Sequence, residues 1–203
     1  MSRFLDTTES WIETSNGNRI SRYAEIRGGQ KITLSGFCVL SENCKLLGNV
    51  AIKNGDDPAI SMGLLCIVGK DCVLRPPRIG FKTDNYSESK VPVHSSLCMG
   101  SFILIGSNCE ISCKQIGRRV VLGCNVVLSR GCELGDVIIV DKNVQIPEKC
   151  KVPSYSRVQR HPIIPGSVSF TSLPGSMRKC IEEWCRMEYM GLPVDLEQMV
   201  SQL

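Results

Sequence analysis

From Ile116 onward an aliphatic side chain returns at every sixth position: Ile116, Leu122, Leu128, Leu134, Val140, Ile146, Val152 and Val158. About a quarter of the chain is Ile, Leu or Val. Eight consecutive hits in one frame therefore have a chance expectation on the order of one in 10⁵. The fifth residue of each hexad is small or β-branched: Val120, Val126, Cys132, Ile138, Val144, Cys150 and Ser156. The second tolerates or enforces a turn: Gly117, Gly123, Ser129, Gly135, Asp141, Pro147 and Pro153.

This pattern predicts an all-β solenoid, a left-handed parallel β-helix of hexapeptide repeats. Three hexads close one triangular coil, and each hexad supplies a short strand and a corner. First-position aliphatics point inward and stack coil on coil, and the fifth position points inward where the corner is tight. The ladder recurs upstream in Leu34, Leu40, Leu46 and Ile52, in Met62, Val68 and Leu74, and in Met99, Ile105 and Ile111, with Ile20 and Ile26 starting it. Only 5% of residues are aromatic, which suits a narrow tube filled by layers of aliphatic side chains. Ile111 to Ile116 is one residue short, so one corner is tightened there.

The breaks set the expected organisation: an N-terminal segment over 1–19, the β-helix over 20–160, and an extended connector with C-terminal helices over 161–203. Lys53 to Ser61 reads as a loop between coils. Arg75 to Leu97 reads as a longer polar loop excursion opening with Arg75-Pro76-Pro77, of the kind often kept for contacts. After Val158 the period stops, and Pro162, Pro165 and Pro174 mark an extended connector. A helix is predicted from Ser172 to Met190, packed along the tube through Met177, Ile181 and Trp184. A second short helix is predicted over Asp195 to Leu203, with Asp195 as N-cap.

Twelve cysteines include no Cys-x-x-Cys pair. Seven of them (Cys38, Cys44, Cys66, Cys72, Cys109, Cys132 and Cys150) fall on the small inward position and read as compact buried hydrophobes. The net charge of +4 carries no basic stripe, so nucleic acid is not an expected partner. The N-terminus lacks an apolar signal region and no apolar run reaches membrane-spanning length. A cytoplasmic protein without membrane insertion is expected.

The only histidines are His94 and His161. A zinc site of the gamma-class carbonic anhydrase kind needs three, and hexapeptide acyltransferases need a histidine base in a groove between subunits. His94 is the only candidate for that base. No catalytic, cofactor or metal residues are therefore assigned, and the expectation is a non-enzyme. The alternative is a trimeric hexapeptide-repeat enzyme.

Trp11-Ile12-Glu13-Thr14 and Gly17-Asn18-Arg19-Ile20-Ser21-Arg22 lead into the first coil, Leu74-Arg75-Pro76-Pro77 closes the first block of coils, and Gln115-Ile116-Gly117 opens the long ladder. With the Pro147 and Pro153 hexads near the end of the ladder, these segments make the chain resemble the dynactin subunit five family, the smaller pointed-end subunits of dynactin. The resemblance implies a non-catalytic subunit that helps dynein and dynactin engage cargo adaptors on microtubules. It implies as neighbours dynactin subunit six, the pointed-end actin-related protein and the large shoulder-side subunit, and it implies no cofactor. The faces of such a tube are hydrogen-bonded internally, so partner contacts are expected at its ends and at the excursion. Arg75 as a planar donor, Pro76 and Pro77 as a stiff exit, and Phe81 as an apolar anchor are the candidate partner-binding residues.

Overall fold

The structure is a computed structural model that describes residues 10–83 and 90–195. Short strands wind into a left-handed parallel β-helix with three faces. The first face stacks Trp11–Glu13, Arg19–Ser21, Val39–Leu40, Cys66–Val68, Ile103–Ile105, Val120–Leu122, Ile138–Val140, Ser156–Arg160 and Val168–Ser172. The second stacks Glu25–Arg27, Lys45–Leu47, Val73–Leu74, Glu110–Ile111, Val127–Leu128 and Gln145–Ile146. The third stacks Ile32–Gly36, Ile60–Leu64, Leu97–Met99, Gln115–Ile116, Glu133–Leu134 and Lys151–Val152.

Register follows the hexads. Val120 pairs with Ile138 and Ile138 with Ser156, three hexads at each step. Ile103 pairs with Val120, one residue short of that spacing, and the missing residue lies between Ile111 and Ile116. All eight residues of the long ladder are buried, from Ile116 to Val158. Of the fifth-position residues, only Cys150 is half-buried. Ile20 and Leu34 are half-buried and Ile26 is exposed, because the first coil has no coil beneath it among the described residues.

The corners explain two residue preferences. At Gly63 an added Cβ would lie 2.6 Å from the Gly100 carbonyl oxygen, and at Gly100 it would lie 2.6 Å from that of Gly117. Only glycine lets successive coils approach so closely there. Beside these glycines the inward cysteines donate their thiols to the next coil: Cys38 to the Gly63 carbonyl at 3.2 Å, Cys66 to Gly100 at 3.1 Å, Cys72 to Gly106 at 3.0 Å and Cys109 to Gly123 at 3.2 Å. A valine would fill the space but leave those carbonyls with one partner fewer. Burial pushes the Cys44 thiol up to about 12 and raises Cys113 strongly, so these two are packing groups and not nucleophiles, whereas hydrogen bonds from the Cys66 and Cys109 thiols lower Cys38 and Cys72 inside the same buried core.

Three expectations are corrected. The excursion after Arg75 is not a loop. Arg78–Thr83 and Lys90–His94 form an antiparallel hairpin, and Val93 and His94 pair in parallel with Ala51 and Ile52. The extra hexad at Ala51–Ile52 gives the hairpin a strand to grow from. The Lys53 to Ser61 loop ends early, since the strand Ile60–Leu64 already begins at Ile60. The helix, α1, spans Met177–Tyr189 and not 172–190. Val168–Ser172 instead pairs antiparallel with Ser156–Arg160, which gives the β-branched and aromatic residues there a strand to join. The predicted second helix beyond its N-cap Asp195 lies outside the described residues.

α1 lies along the first face. Met177, Ile181, Trp184 and Cys185 are buried against Val39, Ile67, Leu104, Val121, Val137 and Ile139. Trp184 is the anchor expected from sequence, and Cys185 joins it one position on. Arg119 of the tube pairs with Glu182 of the helix, both less than a quarter exposed. Tyr189, at the end of α1, donates its hydroxyl to the Gly17 carbonyl at 2.8 Å, and Arg19 donates to the Tyr189 carbonyl at 2.8 Å while stacking on its ring. The segment leading into the first coil and the last turn of the helix thus form one clasp.

Candidate partner-binding site

The hairpin is built on a non-local pairing. The Lys53 amide donates to the His94 carbonyl at 2.9 Å, which pins the inner leg to the tube, and the Ser95 amide donates to the Pro77 carbonyl at 3.0 Å, which ties the roots of the two legs together. Pro76 and Pro77 are buried at this root. They set the exit direction and are not exposed contacts themselves. Arg75 is exposed and pairs with Glu110 at 3.2 Å, so one of its donors is already engaged by the tube. Phe81 stands on the hairpin 58% exposed, with the Arg78 guanidinium over its ring at 5.0 Å. The four sequence-predicted residues are therefore split between root and blade: Arg75, Pro76 and Pro77 at one, Phe81 on the other.

Below the hairpin runs a groove of about 420 Å³ lined by Arg75, Pro76, Arg78, His94, Glu110, Ser112, Arg130 and Glu148 among others. Its charges are largely matched, since Arg75 pairs with Glu110 and Arg130 with Glu148. The His94 Nδ1 atom is buried without a hydrogen-bond partner among the described residues. Burial, more than the nearby Arg78 charge, holds the His94 pKa below its ordinary value, against the opposing pull of a hydrogen bond that the imidazole donates to the Ala51 backbone. His161 is committed elsewhere: its Nδ1 accepts the Ile163 amide at 3.2 Å and the Ile164 amide at 3.0 Å. No group of three or more His, Cys, Asp or Glu side chains among the described residues is placed to share a metal ion. No described helix is long and apolar enough to cross a membrane.

The tube ends are unlike each other. At the N-terminal end the outermost strands of two faces, Glu25–Arg27 and Ile32–Gly36, have no neighbour on their outer side among the described residues. At the C-terminal end Val168–Ser172 covers the first face, while Gln145–Ile146 and Lys151–Val152 end the other two. Both ends keep strand edges available, and sequence reasoning anticipated them. It missed the hairpin, whose signal is two short alternations, Ile79 and Phe81 in one leg and Val91 and Val93 in the other, separated by a polar stretch of sequence. It also missed the Tyr189 clasp, which has no local signal.

Residues 1–187 match the family described as dynactin subunit 5. A dynactin subunit 5 of Dictyostelium discoideum is 30% identical over 107 residues, covering 53% of this chain and 47% of that protein. The matched part thus spans about half the length of that relative. Among solved structures, an N-acyltransferase, AntD, from Bacillus cereus superposes with a TM-score of 0.58 at 12% identity, covering 83% of this chain and 88% of that one. The acetyltransferase domain of PglB from Neisseria gonorrhoeae gives a TM-score of 0.51 at 12% identity, covering 78% of this chain and 58% of that one. At such identity these structures share the hexapeptide-repeat fold and nothing more is carried over from them. The match across nearly the whole sequence is of another order: the chain belongs to the dynactin subunit 5 family.

Proposed function

We propose that this protein is a non-catalytic subunit of the dynactin pointed-end complex, supporting engagement of dynein and dynactin with cargo adaptors in microtubule-based transport. The family match over residues 1–187 carries this reading. The geometry supports it, since a rigid tube whose ends keep open strand edges among the described residues, with a projecting hairpin, is a platform for neighbours. In this reading the body over 20–160 is the rigid part, with 1–19 and 161–203 as its flanks. Its neighbours are dynactin subunit six, the pointed-end actin-related protein and the large shoulder-side subunit, and its place is the cytoplasm, associated with the cytoskeleton. Arg75, Pro76, Pro77 and Phe81 serve partner binding in two ways: the prolines fix the hairpin root and Phe81 meets the partner.

The test is affinity recovery of the full chain from native cytoplasm. Recovery of the pointed-end dynactin subunits is the expected result, and their absence contradicts the proposal. The fold likeness to acyltransferases keeps one competing reading, a trimeric hexapeptide-repeat enzyme. Size measurement of the pure protein with an acyl-coenzyme A turnover assay separates the two. A homotrimer with turnover that is lost in His94→Asn supports the enzyme and overturns the subunit.

A further inference from the structure

We infer that the outer edge of the hairpin strand Arg78–Thr83 accepts an extended, acidic segment of a partner protein as one more β-strand. This deepens the proposed function and rests on it only for the hairpin being a contact surface.

Three observations carry it. First, the strand is the outermost of its three-stranded sheet, with Lys90–His94 on its inner side and no strand on its outer side among the described residues. Phe81 is paired with Pro92. Proline has no amide hydrogen, so this pair cannot exchange the two N–H···O bonds of a hydrogen-bonded pair. The Phe81 amide and carbonyl therefore face the open side. Natural proteins blunt such edges unless they use them.

Second, the blade is apolar where a docking strand would lie. Ile79 and Phe81, two apart on the strand itself, are 52% and 58% exposed, whereas Val91, 41% exposed, is paired with Lys82 on the other face. Third, its charge has one sign. Arg78, Lys82 and Lys90 have no ion pair among the described residues, unlike Arg75 at the root, which Glu110 neutralises. Arg78 lies over the Phe81 ring at 5.0 Å, so cation and apolar surface are presented together. Asp84 and Glu88 lie outside the described residues, and positions 75–94 are net basic with them included. A segment alternating carboxylates with aliphatic side chains satisfies backbone edge, apolar blade and cations at once. A helical segment satisfies only the last two.

The probe is a capped peptide of alternating Glu and Val, with the Lys–Val peptide as its counterpart, titrated into the full chain. The Glu–Val peptide is expected to bind about tenfold tighter than the Lys–Val peptide, and Lys82→Glu to remove about that preference. At saturation, exchange of the Phe81 amide is expected to slow by about tenfold. Phe81→Ala removes the ring alone, whereas Phe81→Pro also removes the outward amide and is expected to bind more weakly still. Amide protection of Val91 and Val93 in each variant reports that the hairpin itself survives. Equal binding of both peptides overturns the inference, as does Glu–Val binding with no slowing at Phe81, the result a side-chain-only or helical mode gives. If wild type recovers dynactin subunits from cytoplasm and Lys82→Glu recovers them equally well without peptide binding, strand addition is wrong and the assembly reading stands. If wild type recovers none, the assembly reading is the one that fails.

Discussion

Two corners of this tube share one backbone conformation and carry opposite side chains. The corner before the helix-covered face holds Phe37, Leu65, Phe102, Arg119, Val137 and Tyr155, with φ between 53° and 63°. The corner before the second face holds Asn43, Asp71, Asn108, Asn125 and Asn143, with φ of 58° or 59°. The left-handed region costs most residues about 1–2 kcal/mol and costs Asn and Asp least. At the bare corner no apolar packing among the described residues offsets that cost, so the chain uses the residues that tolerate it, and four of them bond across coils, Asn43 to Asp71 at 3.1 Å and Asn125 to Asn143 at 3.0 Å. At the covered corner the same cost is outweighed. Val137 is only 1% exposed beneath α1, and burying a side chain of that size stabilises by about 1.5–3 kcal/mol. The geometry of the repeat fixes the backbone, and what lies over it selects the side chain.

The comparison also separates structure from contact. The first face is filled by the chain's own helix, whereas no helix covers the second and third faces, the ends or the hairpin among the described residues. A partner that bound at α1 would have to displace a packed cluster that includes Trp184. A partner at the hairpin meets exposed Ile79 and Phe81 without displacing a described element.

The largest effect belongs to the common core that both corners enclose. Leu128 is fully buried in the second face, and Leu128→Asp places an unpaired charge inside the tube. The expected loss is several kcal/mol, enough to unfold a domain of ordinary stability of roughly 5–15 kcal/mol. Retention of a cooperative native transition in urea would contradict the inward register.

Next comes the cover itself. Trp184→Ala is expected to cost about 3–5 kcal/mol and to release α1 while the coils persist. The expected readout is a loss of helical circular dichroism before the β-sheet transition. A single unchanged transition would mean that the helix adds little to the first face.

The corners can then be exchanged directly. Val137→Asn is expected to destabilise by about 1–2 kcal/mol, since it buries a polar group under α1. Asn125→Val is expected to lose a similar amount, about 1–2 kcal/mol, through left-handed strain with no burial in return. In the Trp184→Ala background the first cost should shrink and the second should not. Equal costs in both backgrounds would break the comparison.

The smallest effect is one of pH at the hairpin root. Burial lowers the folded pKa of His94 below its ordinary 6.5. The unfolded chain therefore takes up the proton first as pH falls. Stability is level above about pH 6.5, declines below it, and levels again once the folded histidine titrates. His94→Gln should flatten that decline in urea titrations between pH 7.5 and 5.5, a range of about two units around the ordinary histidine value. An unchanged slope would place the acid sensitivity elsewhere.

Much of this was legible in the sequence because the hexad is local. Each of Leu122, Leu128 and Leu134 announces its own inward direction, and Cys44, Cys72 and Cys132 announce tight corners. What stayed hidden depends on pairing between distant segments. The blade of Ile79 and Phe81 becomes a strand only because Ala51–Ile52 gives His94 a neighbour, and Val168–Ser172 becomes one only because Ser156–Arg160 has an open edge. Cys113 is buried because the shortened coil turns it inward, a consequence of a deletion and not of the period. For the candidate site, Phe81 was visible as an exposed anchor, but Pro92, which turns the Phe81 amide outward, has meaning only in the folded register.

The most direct measurement is amide exchange of this chain alone against the same chain assembled in dynactin. Slower exchange is predicted in the hairpin strand Arg78–Thr83 and at the outermost first-coil strand Glu25–Arg27, with Met177–Tyr189 unchanged. Slower exchange confined to α1, with the hairpin and the ends unaltered, would contradict the division between a self-covered face and contact-bearing ends and hairpin.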